Sequence, residues 1–250
     1  MCGIAGAFIY DERGRDLRLL QGVVDKCRQR GLDAYGLLRW SPMESWKEFR
    51  HNNEITAGDM DEVYSPPVSF PTIFLHTSRA EPTTEWRDKK TVADIPPFRD
   101  GAFAVAHNGI ISNDHLLETR HALGRCSPID TSVLPPLFSK VGLGPALREL
   151  QGGAALGVVD ATHPALHVYR NFMPASILWR PGICVFASEA AFFPGHGLPL
   201  PDYVSWTLPA YSGVTFSMRG YSGPFKWEAA QSAGEITAWN PYPSLGGTIQ

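Results

Sequence analysis

From Cys2 to Tyr10 the chain carries no charge, with small residues at Gly3, Ala5, Gly6 and Ala7. A short apolar run of this kind predicts a buried strand lying close to other backbone. It ties the head of the chain to the core, with Cys2 at its leading edge. Met1 ahead of a small second residue is expected to be removed, which would leave Cys2 as the first residue. Such a cysteine carries a thiol nucleophile and a free α-amine that can take the thiol's proton, directly or through a water. A free thiol titrates near ~8.5 and an α-amine near ~7.7–8.0, so proton transfer between them is cheap at neutral pH. Retention of Met1 would turn the amine into an amide and remove the base.

The 250 residues suffice for one large domain with a real core. A hydrophobic content of 44% against 19% charged residues fits an ordinary globular chain. The net charge is -3, and beyond the short cluster of Arg87, Lys89 and Lys90 there is no basic stripe. Nucleic acid is therefore not an expected partner. No apolar stretch approaches the ~18–20 residues of a membrane span, and Asp11 and Glu12 spoil a secretion signal, so the cytoplasm is the expected location. Cys2, Cys27, Cys126 and Cys184 are scattered without a CxxC pair, so neither a metal site nor a disulfide framework is expected. The last three are expected to be small buried hydrophobes.

Leu17, Leu19, Leu20, Val23, Val24 and Cys27 recur at helical spacing and predict a helix over 16–30, stopped by Gly31. Strands are expected at 37–40 and 73–76, with hairpin and loop over 41–71. A buried strand at 102–107 is expected to end in a turn at Asn108-Gly109. Helices are expected at 115–123 and 132–141, the second kinked or delayed by Pro135-Pro136. A strand series follows at 157–160, 165–170, 176–179 and 184–187, with one more at 215–218. From Tyr221 onward the chain is rich in Gly, Pro, Ser and Trp without a period. The expected division is one domain over 2–220 and a C-terminal extension over 221–250. The extension, with Trp227 and Trp239, reads equally as a packed cover or a partner-docking tail.

Four segments stand behind Cys2: Arg30-Gly31-Leu32-Asp33, His76-Thr77-Ser78-Arg79, His107-Asn108-Gly109-Ile110 and Ile129-Asp130-Thr131-Ser132. In order and approximate spacing this set resembles the glutaminase domain of class II glutamine amidotransferases, which are N-terminal nucleophile hydrolases. The likeness runs from Cys2 to about Glu189, through Gly157-Val158-Val159-Asp160 and Ala187-Ser188-Glu189, and is greatest to the glutaminase half of glucosamine-6-phosphate synthase. It implies an α+β fold of four layers, αββα, with two antiparallel sheets between helix layers. Periodicity alone would give only mixed α and β.

Glutamine hydrolysis passes through an oxyanion, a thioester and a second oxyanion. Asn108 can offer a side-chain amide and Gly109 a backbone N–H to that oxyanion. Loss of one such donor typically costs ~2.7–4 kcal/mol of transition-state stabilisation. An ordinary hairpin turn is the competing reading of Asn-Gly. Arg79 can pair the substrate α-carboxylate bidentately and Asp130 its α-ammonium, the roles the resemblance assigns them; a surface ion pair is the rival for each. Arg30 and Asp33 match the family's Arg-Gly-x-Asp segment. Arg30 reads as a support for the Cys2 region, or as a helix C-terminal arginine favoured by the macrodipole. His76 and His107 read as packing or hydrogen-bonded strand residues, because the α-amine is the base.

The likeness departs from the family at Ser78, which separates His76-Thr77 from Arg79, and at Ala93-Asp94-Ile95-Pro96-Pro97-Phe98, which stands in place of Asn-Ala-His-Pro. Thr83 or Thr84 could bond the substrate carboxylate, but the altered Glu81–Phe98 loop leaves the choice open. The sequence shows no P-loop, sugar-phosphate isomerase segment or phosphoribosyl signature. A glutaminase subunit is therefore expected, with L-glutamine as substrate, no cofactor, and ammonia passed to a separate synthase subunit. An N-terminal-cysteine amidohydrolase of a γ-glutamyl or other amide is the alternative, and a catalytically silent binding module a further one.

Overall fold

The computed structural model describes residues 2–52, 62–67, 69–80, 89–195, 204–218 and, for the backbone, 237–239. Two antiparallel sheets face each other, each with helices on its outer side. The first sheet holds β1 (Gly3–Ile9), β2 (Ala34–Ser41), β3 (Ser45–Asn52), β4 (Thr72–Arg79), β9 (Ser176–Arg180), β10 (Ile183–Ala187) and β11 (Val204–Thr207). Its order is β11-β9-β10-β1-β4-β2-β3, so β1 sits at the centre. The second holds β5 (Phe98–Asp100), β6 (Phe103–Ile111), β7 (Gly152–Asp160), β8 (Ala165–Arg170), β12 (Ser212–Ser217) and β13 (Thr237–Trp239), in the order β13-β12-β8-β7-β6-β5.

Strand alternation on β1 explains the layering. Ile4 and Phe8 point into the core between the sheets, with Leu38, Leu75, Ala104, Ala106, Val159 and Val168. Ala5, Ala7 and Ile9 point outward and pack under α1 (Arg18–Arg28), against its Leu20, Val23, Val24 and Cys27. On the far side, Val105, Ala154, Leu156 and Val158 of the second sheet bury α2 (Asp114–His121), α3 (Leu134–Val141) and α4 (Leu143–Glu149) through Leu117, Leu137, Phe138 and Leu147. The expected αββα order is therefore what the chain adopts. The apolar faces of these helices are covered by the outer faces of the two sheets.

Phe186 on β10 lies beside Gly6 of β1, and its ring occupies the space where side chains at Gly6 and at Gly157 of the opposite sheet would stand. It is fully buried. Phe186→Ala should lower the unfolding free energy by about 3–5 kcal/mol, read as a shifted urea midpoint.

Several elements differ from expectation. Strand β6 does not turn at Asn108-Gly109 but runs on to Ile111, paired with β7 down to Ile111↔Gly152. The reason lies in the partner: β7 begins at Gly152, earlier than the expected 157, and presents Gly152-Gly153 opposite Ile111-Ile110. Gly109 keeps the positive φ (142°) that its dipeptide signals, but within the ladder. Helix α3 starts late, behind a 3-10 turn at Asp130–Val133, because the prolines occupy its first positions, where no N–H is needed. Short elements β5, β11 and α4 carried no periodic signal. Cys126 is exposed in the loop after α2, whereas Cys27 and Cys184 are buried as expected. In the C-terminal region, Thr237–Trp239 pairs with β12 as an edge strand; Trp227 and the rest of 219–236 and 240–250 lie outside the described residues.

Candidate active site

Cys2 leads into β1, and the strand beside it is fixed on three sides. Gly3 leaves no room for a side chain against the carbonyl of Cys27, so the head of β1 seats directly on the end of α1. The Ile4 N–H donates to Ser188 Oγ (3.3 Å), and the Ser188 N–H to the Ile4 carbonyl (2.9 Å). Arg30, just past α1, pairs with Glu189 at 2.7 Å. Arg30 thus clamps the end of α1 to the segment that holds β1, outside the cavity.

That cavity, of about 530 Å³, is lined by Cys2, Arg79, Ala80, Asn108, Gly109, Ile110, Asp130, Gly153, Phe172 and Met173. It gathers five sequence-predicted residues from four separated segments. Asn108 is 1% exposed, and its Nδ2 meets no acceptor among the described residues. A buried amide donor left unpaired costs ~1–3 kcal/mol, and such exceptions concentrate where a donor has another task.

Gly109 sits beside it on the same strand. The β6–β7 ladder is bracketed by the Ser112 N–H donating to Gln151 O and the Ala161 N–H donating to Ala102 O, both at 2.9 Å. Antiparallel ladders bond alternate residues, so the Gly109 N–H lies on the edge turned away from β7. Strand β5, on that edge, reaches only Val105. Any Cβ at Gly109 would run into the Gly153 carbonyl. Only glycine fits.

Asp130 closes the same edge. Its Oδ2 accepts the Ile111 N–H (2.6 Å), and its Oδ1 accepts the Thr131 N–H (2.7 Å). With a quarter of the side chain still exposed, it presents negative charge to the cavity. His107 fastens this turn to the sheet. The Gly153 carbonyl can only accept, so Nε2 carries the hydrogen (3.2 Å), and Nδ1 takes the Thr131 hydroxyl (2.8 Å). Burial depresses its pKa, with Asp130 opposing. His76 is likewise buried, bonded to Ser78 Oγ at 2.6 Å and depressed to about 3 by burial. Both histidines are hydrogen-bonded strand residues.

Arg79 ends β4. Its guanidinium donates to the Asp94 carbonyl (3.1 Å). The Gly31-Leu32-Asp33 segment holds its backbone: a side chain at Gly31 would collide with the Arg79 carbonyl carbon, and the Asp33 N–H donates to the Arg79 carbonyl (3.0 Å). The Arg-Gly-x-Asp motif therefore serves as a backbone cradle for Arg79. Thr83 and Thr84 lie outside the described residues.

Sequence reasoning missed the loop after β8. Asn171 Oδ1 accepts the N–H groups of Ala154 (2.9 Å), Phe172 (2.7 Å) and Met173 (3.3 Å), and its Nδ2 donates to Gly152 O (2.8 Å). It thereby sets Phe172 and Met173 on the cavity wall; an Asn at a strand end was the one available signal. Among the described residues no group of three or more His, Cys, Asp or Glu comes together as a metal site requires.

No family model matches the chain. It is 30% identical over 189 residues to a 7-cyano-7-deazaguanine synthase of Saccharolobus solfataricus, covering 70% of this chain and 39% of that protein. It is 29% identical over 188 residues to the Sulfolobus acidocaldarius protein of the same name, covering 72% and 40%. A glutamine–fructose-6-phosphate aminotransferase of Haemophilus influenzae is 29% identical over 177 residues, covering 66% and 27%. The chain thus spans about two fifths or less of the length of these curated relatives. Among solved structures, a Bacillus subtilis glutamine phosphoribosylpyrophosphate amidotransferase superposes with a TM-score of 0.66 at 18% identity, over 88% of this chain and 48% of that one. A glutamine aminotransferase class-II domain protein from Silicibacter pomeroyi superposes at 0.53 with 13% identity, over 87% and 96%. In fold the chain matches class II glutamine amidotransferases, and part of its sequence is similar to one such enzyme.

Proposed function

We propose that the chain hydrolyses L-glutamine to glutamate and ammonia through a thioester on Cys2, and that a synthase unit takes up the ammonia. One observation carries this reading: Cys2, Asn108, Gly109, Arg79 and Asp130 line one cavity, and the Asn108 Nδ2 there meets no acceptor among the described residues.

With Met1 removed, the Cys2 α-amine takes the thiol proton and the sulfur adds to the side-chain amide carbon. Charge moves to the amide oxygen, where Asn108 Nδ2 and the Gly109 N–H donate. The amine then returns a proton to the leaving nitrogen, ammonia departs, and a thioester remains. Water adds through the same oxyanion position and releases glutamate and the thiol. Arg79 and Asp130 meet the α-carboxylate and α-ammonium, which selects an amino-acid head. Arg30 and His107 act at one remove, by fixing the cysteine strand and the Asp130 turn.

The relatives named as synthases support a synthase as the acceptor. No helix among the described residues is long and apolar enough to cross a membrane; the cytoplasm is the proposed location. The C-terminal extension is proposed as either a packed cover or a partner-docking tail, and the pairing of Thr237–Trp239 with β12 favours the cover.

Asp130→Ala should raise the glutamine KM by about 10- to 100-fold, as expected for losing a charge-assisted bond, with a much smaller change in kcat. An unchanged KM would contradict its role. A second reading draws on Ile110, Phe172 and Met173, which make the rest of the cavity wall apolar. These favour a γ-glutamyl amide with an apolar amine portion. Ammonia release from glutamine, compared with cleavage of a γ-glutamyl anilide, decides between the two.

A further inference from the structure

Resting on the assignment of Arg79 and Asp130 to the substrate head, we propose that Asp94 and Ser127 are positioning residues. They join those two side chains into one frame and so set the spacing between the carboxylate and ammonium subsites.

Arg79 ends a strand of the first sheet, whereas Asp130 opens the turn that covers the edge of the second. The two sheets meet here by face packing, so no strand ladder joins the Arg79 end of one to the Asp130 edge of the other. A chain of hydrogen bonds crosses the gap. The Arg79 guanidinium donates to the carbonyl of Asp94 (3.1 Å). Asp94 closes the 3-10 turn Val92–Asp94, its Oδ2 accepting the Thr91 N–H (2.8 Å) and the Thr91 hydroxyl (2.9 Å). Its other oxygen, Oδ1, accepts the Ser127 hydroxyl (2.7 Å). Ser127 Oγ in turn accepts the Ile129 N–H (3.2 Å), and the Ser132 hydroxyl sits between the Ser127 and Ile129 carbonyls (2.6 and 2.7 Å). Asp130 is the next residue.

One carboxylate thus divides its two oxygens between holding its own turn and reaching the segment that bears Asp130. Burial works against its ionisation. Hydrogen bonds from the Thr91 N–H, the Ser127 hydroxyl and the Thr91 hydroxyl, with the Arg79 charge, nonetheless hold the Asp94 pKa below the ordinary value. Ser127 and Ser132 are buried, so the bridge is shielded from water at its serine end, while Asp94 is partly exposed. Neither Asp94 nor Ser127 lines the cavity, so both act through other residues. Of the two, Asp94 falls in the segment that departs from the family pattern, so the bridge would be a feature of this chain.

The test is steady-state kinetics on the full chain carrying Asp94→Asn, Ser127→Ala, both together, or Ser127→Thr. For L-glutamine each of the first two should raise KM about tenfold with kcat within about twofold, the size of one lost bond to a charged group. The double variant should be no worse than the worse single, since Asp94→Asn weakens and Ser127→Ala removes the same link. Ser127→Thr should restore KM. With glutaramate, which lacks the ammonium, the penalty should shrink, because the spacing of two groups no longer matters. A merely structural role would lower kcat, or penalise both substrates alike, and either result overturns the proposal. Unchanged KM in Ser127→Ala overturns it as well, even if Asp94→Asn does not fold. Arg79→Lys and Asp130→Asn are the controls. If they leave KM unchanged, the head-group assignment fails and the bridge falls with it. If they raise KM while Ser127→Ala does not, only the bridge fails.

Discussion

Cys2→Ala is expected to release no measurable ammonia from glutamine, a loss of about 10⁴-fold or more in kcat, while folding as the parent does. The size follows from the route: without sulfur there is no thioester, and what remains is binding plus an oxyanion site waiting for a nucleophile. Retention of the fold follows from the location. Cys2 is only partly buried and precedes β1, whose pairing with β4 and β10 begins beyond it. Removing one sulfur there should change stability by no more than about 0.5 kcal/mol. Ammonia release by the purified variant at a tenth of the parent rate would refute the nucleophile.

The second large effect is expected at Asn108. Asn108→Ala should lower kcat by about 10²–10³, as removal of one oxyanion donor does, and leave KM within a few-fold. The structure makes this substitution unusually clean. Because Nδ2 bonds no acceptor among the described residues, its removal takes away no hydrogen bond of that group to any of them. It relieves an unpaired buried donor instead. The variant should therefore melt no lower than a typical core truncation, with its whole defect in turnover. Circular dichroism melting beside the kinetics checks this, and a defect that appears in KM rather than kcat would place Asn108 on the substrate head.

The first helix and strand of the layers were legible from local pattern, whereas the αββα order came only from the resemblance to class II glutaminases. The α1 stripe at Leu19, Leu20, Val23, Val24 and Cys27 could only be one face of a helix. The uninterrupted apolar run of β1 could only be a strand covered on both sides. What failed at Asn108-Gly109 was partner knowledge. The dipeptide announces a positive φ, but whether that φ makes a turn or sits in a ladder depends on Gly152 and Gly153, more than forty residues away. The site residues were legible as a set because four motifs recur in order. Their mechanical roles were not. That Gly31 and Asp33 cradle the Arg79 backbone, or that Asn171 sets Phe172 and Met173 on the wall, follows from contacts between segments that no single-chain pattern encodes. The exposure of Cys126 was missed for the converse reason, since burial was assumed from residue type and the loop around it has no period.

The central claim is that the sulfur of a processed Cys2 attacks a glutamine-like amide in this cavity. Intact-mass and peptide mass spectrometry of the full chain, after treatment with a glutamine-analogue alkylator, reads that event directly. The expected result is one adduct on Cys2 in a protein that has lost Met1, with excess L-glutamine protecting against it. An active protein that keeps Met1, or an adduct on Cys126 with Cys2 untouched, would contradict it.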